Sequence, residues 1–172
     1  MTTRAEVERF LSRKKLALAG ASRSGKKFGN TVLKELLVKG YEVYPVHPGA
    51  DEVNGLRAFR SLAEVPADVD ALVVIVPPSQ TESLVREATA RGIRSVWIQQ
   101  GAESAEAVSF CRENGINVIS GECILMFAEP AAWPHRLHRW IRGLFGRLPA
   151  ESGPAEGRSA GGRNQGPKGV SE

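Results

Sequence analysis

Up to about residue 129, short runs of continuous apolar residues alternate with stretches whose apolar positions recur at helical spacing. Leu16 to Gly20 is a short apolar run closing on glycine. Thr31 to Lys39 comes next, with Val32, Leu36 and Leu37 on one helical face. Glu42 to Val46 is rich in β-forming residues and stops at Pro48-Gly49. Ala71 to Val76 is apolar at every position, as a parallel strand covered on both faces must be, and ends at Pro77-Pro78. Ser79 or Thr81 then caps a helix through Arg91, with Gly92 as its stop. Ser95 to Gln99 reads as a strand, Ser104 opens a helix to Asn114, and Asn117 to Ser120 forms a last strand after Gly115. Five strands with intervening helices predict a doubly wound α/β, mostly parallel five-stranded sheet, because parallel neighbours need crossovers rather than tight turns. The expected strand order is 3-2-1-4-5. The weakest crossover runs from Val46 to Ala71, where Asn54-Gly55 marks a turn, Ser61 to Glu64 allows one short helix, and Pro66 prevents that helix from continuing.

After residue 129 the pattern changes twice. Ala131 to Leu148 predicts a C-terminal amphipathic helix: Trp133, Leu137, Trp140, Ile141, Leu144, Phe145 and Leu148 fall three and four apart. From Pro149 the chain is rich in Gly, Ser, Pro and Arg, with Val170 as its only large aliphatic, and an unfolded tail is expected. The domain reading is therefore 1–129, a basic helix over 130–148, and a tail over 149–172. At 172 residues, 42% hydrophobic and 24% charged, the chain has enough length for one domain with its own core. Its net charge of +4 is local: residues 1–129 hold 16 basic and 16 acidic residues, and the tail three of each. The excess is Arg136, Arg139, Arg142 and Arg147, so the main domain has no basic balance that would suggest nucleic acid.

Cys111 and Cys123 stand twelve apart without a CxxC or a spaced His, which excludes a disulfide framework and a zinc cluster and suits a cytoplasmic protein. Met1 to Ser12 is charged and amphipathic, unlike a signal peptide, and no apolar run is long enough to span a bilayer.

Open α/β sheets bind ligands at the carboxyl ends of their strands. The loop after the first strand, Gly20-Ala21-Ser22-Arg23-Ser24-Gly25-Lys26-Lys27, offers glycines, three cations and an adjoining helix N-terminus, which together outline a phosphate site. Gly20 to Lys26 matches the Walker A spacing, but Lys27 stands where a Ser or Thr should hold magnesium. Gly20-x-Ser22-x-x-Gly25 matches the dinucleotide fingerprint without its middle glycine. After the second strand His47-Pro48-Gly49 replaces the acid that would grip a ribose, so an NAD(P)-binding oxidoreductase is the alternative rather than the leading reading.

Gly20-Ala21-Ser22, Lys27-Phe28-Gly29-Asn30 and Gly40-Tyr41-x-Val43-Tyr44-Pro45-Val46-x-Pro48 resemble the small bacterial CoA-binding proteins. So do Val76-Pro77-Pro78, Trp97-Ile98-Gln99-x-Gly101 and Cys123. That family is related to the CoA-binding domain of succinyl-CoA synthetase, and the resemblance covers residues 5–129. It implies a Rossmann-like fold with coenzyme A, or an acyl-CoA, lying across the strand ends. By position, the implied contacts are Gly20, Ser22 and Arg23, then Val46, His47 and Pro48, then Val76, Pro77 and Pro78, with Gln99 and Gly101 near the pantetheine arm. Lys26 adds charge beside the phosphates. Two positions depart from the family pattern: His47 replaces an Asn, and Gly49 stands where a Lys often contacts the extra ribose phosphate of CoA, a loss that Lys26 or Lys27 would have to make good.

Other residues have plainer readings. Cys111 belongs on a buried helical stripe with Val108. Cys123 is either buried structure or a redox partner near the pantetheine thiol. His47 has no acid to orient it and no nucleophile at catalytic spacing. Glu122 and Glu129 flank Cys123 without defining a reaction. The related ligases keep their phosphorylated histidine in a second domain, so the resemblance implies a non-catalytic binding module. The stripe from Ala131 to Leu148 would dock on its own domain or a homodimer partner, or lie on an anionic membrane surface.

Overall fold

The computed structural model describes residues 2–128. The expected basic helix, the tail and Glu129 lie outside the described residues. The chain runs through α1 (Arg4–Leu11), β1 (Lys15–Ala19), α2 (Phe28–Val38), β2 (Glu42–Val46) and a small hairpin of β3 (Glu52–Val53) and β4 (Leu56–Arg57). It continues through a 3₁₀ turn (Leu62–Glu64), β5 (Ala71–Val74), α3 (Pro78–Ala90), β6 (Ser95–Gln99), α4 (Ala105–Glu113), β7 (Asn117–Glu122) and a second 3₁₀ turn (Ile124–Met126).

The five-stranded sheet is wholly parallel, in the order β2-β1-β5-β6-β7. Counted along the chain this is 2-1-3-4-5, which corrects the expected 3-2-1-4-5. Burial explains the difference. Ala71 to Val74 are buried at every position and so belong at the centre of the sheet, whereas β2 has an exposed Glu42 and a half-buried Tyr44 that an edge tolerates. Among the described residues, the sheet gains only a single parallel bridge outside β2, between Val46 and Phe59.

Strand residues alternate between two cores. Leu16, Leu18, Ala71 and Val73 face α1, α2 and the second 3₁₀ turn, with Phe10, Leu33, Leu36, Trp97 and Ile119. Ala17, Ala19, Leu72 and Val74 face the other layer, with Leu62, Val85, Ile98 and Cys111. Each fully buried Leu, Val or Phe in these layers stabilises the fold by about 1.5–3 kcal/mol relative to exposure.

Local chemistry sets the helix starts. Thr3 caps α1 reciprocally: its hydroxyl accepts from Glu6 N–H at 3.3 Å, and its own N–H donates to Glu6 Oε2 at 2.7 Å. This holds the Glu6 carboxyl below its ordinary range. α2 begins at Phe28 rather than Thr31, and α3 begins at Pro78 with proline at a first-turn position. Neither Ser79 nor Thr81 is therefore the cap of α3. Thr81 lies inside the helix and donates to Ala102 O at 2.7 Å, tying α3 to the loop after β6. Among the described residues no helix is long and apolar enough to cross a membrane.

Candidate functional site

The register places Val46, Ala19, Val74 and Ile98 abreast across the sheet. The residues immediately after them, His47, Gly20, Ile75 and Gln99, therefore share one rim, the first three starting loops and Gln99 closing β6. Strands about 4.8 Å apart put His47 and Gln99 about 14 Å from each other, a span suited to an elongated ligand. All twelve residues singled out in the sequence lie on or beside this rim, but they do not all face outward. Val46 is buried in the core. Gln99 is 2% exposed, and its Oε1 accepts from Ile124 N–H at 3.1 Å, bracing the turn after β7. Arg23, Lys26, Pro48, Pro77, Pro78 and Gly101 are exposed, and Gly20, Ser22, His47 and Val76 are half-buried.

Gly20 packs directly on the chain that leaves β5. With φ at +117°, it packs so tightly on the next strand that a Cβ would lie 2.5 Å from the Ile75 carbonyl carbon. Gly29, the second residue of α2, is close-packed in the same way, its Cβ position 2.7 Å from the Gly20 carbonyl carbon. The glycines thus seat α2 and β5 against the end of β1.

The centre of the β1–α2 loop is occupied by a side chain. Asn30 is 1% exposed, and its Oδ1 accepts from Ser22 N–H (3.0 Å), Ser22 O–H (3.0 Å) and Lys27 N–H (3.2 Å). Its Nδ2 donates to Ser22 O at 2.8 Å and to Asn54 Oδ1 at 3.1 Å. Asn54 in turn donates to Asn30 O at 3.2 Å. The amide oxygen gathers these donors and braces the loop from inside, while Arg23, Ser24 and Lys26 are exposed. Sequence reasoning took Asn30 only as part of a motif and Asn54 only as a turn. The local signal for Asn30 is an Asn three residues after the position that precedes the helix.

Further along the rim the chemistry changes sign. A shallow depression of about 380 Å³ lies between the N-termini of α3 and α4, lined by Pro78, Ser79, Glu82 and Glu103 to Glu106. The Glu106 carboxyl is held below its ordinary range by its own backbone N–H and the Ser104 hydroxyl, so it stays ionised. The rim is cationic at β1 and acidic at β5–β6. At β2, His47 Nδ1 accepts from Gly49 N–H at 3.0 Å. Cys111 is fully buried, and desolvation pushes its thiol up to about 11, which keeps it protonated and inert. Cys123 is also buried. Among the described residues no cluster of His, Cys, Asp and Glu could hold a metal.

The profile of a family described as "CoA binding domain" matches residues 14–129. The acetate–CoA ligase (ADP-forming) II subunit alpha of Pyrococcus furiosus is 30% identical over 129 residues, covering 69% of this chain but 28% of the ligase subunit. This chain therefore spans under a third of that relative's length. The uncharacterized protein YneT of Bacillus subtilis is 32% identical over 123 residues, covering 71% of this chain and 91% of YneT. Among solved structures, a hypothetical protein from Pyrococcus horikoshii matches with a TM-score of 0.70 at 32% identity, covering 75% of this chain and 92% of its own.

Proposed function

The chain belongs to the CoA binding domain family, and on that premise we propose that it binds coenzyme A or an acyl-CoA across the carboxyl rim of its sheet, as a module without chemistry of its own. The observation that carries this reading is the charge gradient along the rim. Arg23, Lys26 and Lys27 are exposed beside β1, and Glu82, Glu103 and Glu106 line the far side. A ligand with phosphates at one end and a neutral arm at the other is oriented by that gradient, phosphates at β1 and arm towards β5 and β6. Ser22, Arg23 and Lys26 would meet the phosphates, His47 and Pro48 would flank the nucleoside, and Val76, Pro77, Pro78 and Gly101 would line the arm. Val46 and Gln99 would act from below, by shaping the loops.

A binding role also suits the rim's titratable groups. His47 Nδ1 meets a backbone N–H rather than a carboxylate, and the two cysteines are buried. Native mass spectrometry and titration calorimetry with CoA, NAD(H) and NADP(H) test the proposal. A CoA-type nucleotide should be retained and bound; NAD(H) bound with CoA ignored would overturn it in favour of an oxidoreductase.

A further inference from the structure

In doubly wound folds the group beyond the second strand reads the adenosine ribose: an acid takes the free hydroxyls, and a nearby Arg takes a ribose phosphate. Here the loop directly after β2 supplies neither. Gly49 has no side chain, and a Cβ built there would meet nothing closer than His47 Cε1 at 3.9 Å, so the space above it is open.

The tertiary structure brings a cation to the neighbouring Pro48 from twelve residues further on. Beyond the small hairpin, Phe59 bridges Val46 in parallel. His47 N–H donates to Phe59 O at 2.8 Å, and Phe59 N–H donates to Pro45 O at 2.9 Å. The next residue, Arg60, is thereby anchored beside His47-Pro48. Its Nη1 donates to Pro48 O at 3.4 Å, its Nη2 to Asp51 Oδ1 at 2.7 Å, and its backbone N–H to Glu64 Oε2 at 3.1 Å. The side chains of Arg60 and Asp51 remain 57% and 88% exposed. An ion pair this exposed is held weakly and exchanges readily. A guanidinium carries five donors, and a phosphate offers it a bidentate partner of higher charge than one carboxylate.

We propose that Arg60 recognises a phosphate monoester on the adenosine ribose of the bound nucleotide, with Asp51 holding the guanidinium in place until the phosphate displaces it. This rests on the coenzyme A reading above and adds its specificity: the site selects a ribose-phosphorylated nucleotide over the same molecule lacking that one group. Arg23, Lys26 and Lys27, on the β1 loop, are left for the diphosphate. Arg57 is turned to the Phe59 ring, 5.1 Å from its centroid.

Equilibrium titration of the full chain with CoA and with 3′-dephospho-CoA tests this, in the wild type, Arg60→Gln and Asp51→Asn. The wild type should bind CoA about tenfold or more tighter than dephospho-CoA, roughly one good charge-assisted contact. Arg60→Gln should bind CoA no better than dephospho-CoA, with its dephospho-CoA affinity close to wild type. Asp51→Asn should bind CoA at least as tightly as the wild type, since a competitor for the guanidinium is gone. A preference for CoA that survives Arg60→Gln overturns the assignment, as does a wild type that binds both nucleotides equally. Loss of CoA affinity in Asp51→Asn overturns it too, because the ion pair would then be what holds the site. Binding of neither nucleotide overturns the coenzyme A reading, and this assignment with it.

Discussion

A methyl group on Gly20 has nowhere to go: the Ile75 carbonyl occupies the space, and the backbone is in a conformation that L side chains rarely adopt. Gly20→Ala should therefore lower the urea midpoint, costing roughly 1–3 kcal/mol, while the folded fraction still binds CoA. An unchanged midpoint with binding lost would show that the glycine faces ligand after all. Asn30→Ala strips the Ser22 and Lys27 N–H groups of their shared acceptor and should cost roughly 2 kcal/mol or more in the same measurement. Asn30→Asp keeps that acceptor but turns its second oxygen on Ser22 O and Asn54 Oδ1, to which Nδ2 now donates, so it should also lower the midpoint. Its negative charge beneath the β1–α2 loop should weaken CoA binding more than the alanine variant does per folded molecule. For Cys111, raised from 9.0 to about 11, the folded state holds its proton longer than the unfolded state. Its contribution is complete below pH 9 and is lost as the pH rises towards 11. Cys111→Ala should accordingly show a shallower decline in stability across that window, measured by denaturant titration at several pH values.

Two elements show where local pattern reads cleanly and where it does not. β2 and β6 occupy the residues the pattern predicts, Glu42–Val46 and Ser95–Gln99, and Ser104 caps α4 by accepting from Ala107 N–H at 3.2 Å. The start of α2 was legible only in part, because its cap is completed by Asn30 from inside the helix, reaching back to Lys27. The hairpin of β3 and β4 was visible only as its Asn54-Gly55 turn, since two-residue strands carry no periodicity. Asn54 has φ +52° and bonds Asn30 in both directions, so the turn fastens the hairpin to the start of α2. Replacing Asn54 by Ala should cost about 1–2 kcal/mol, combining strain at positive φ with two lost hydrogen bonds. It should also loosen loop 22–27, seen as faster amide exchange there; unchanged exchange would uncouple the two elements.

For the whole molecule, the described domain closes with Ile124 to Met126 and Ala128 fully buried against β1, β6 and α2. The tail over 149–172 carries almost no apolar surface to offset the entropy of ordering, so a chain ending at Leu148 should melt at the same temperature and bind CoA equally. A lower melting temperature would mean that the tail packs. The same scale decides the site. Ser22, Arg23 and Lys26 of the proposed site stand out in the sequence because a glycine- and cation-rich loop after an apolar strand is a local signal. The roles of Asn54 and Arg60 do not, because Asn54 reaches Asn30 twenty-four residues away and Arg60 reaches Pro48 across twelve.

The sequence by itself determined the five strands of the main sheet and the helices between most of them, and that these strands run parallel. These depend on periodicity, on turn residues and on the impossibility of joining parallel strands by short turns. Only the tertiary structure decided the order 2-1-3-4-5, the inward use of Gly20 and Gln99, the Asn30 anchor, and the arrival of Arg60 beside Pro48. Most of these are contacts between residues distant along the chain, and the Asn30 anchor joins local partners to Asn54 twenty-four residues away. An apolar run states that it is buried but not against what, so register and neighbours are settled only when all the strands compete for the centre of one sheet.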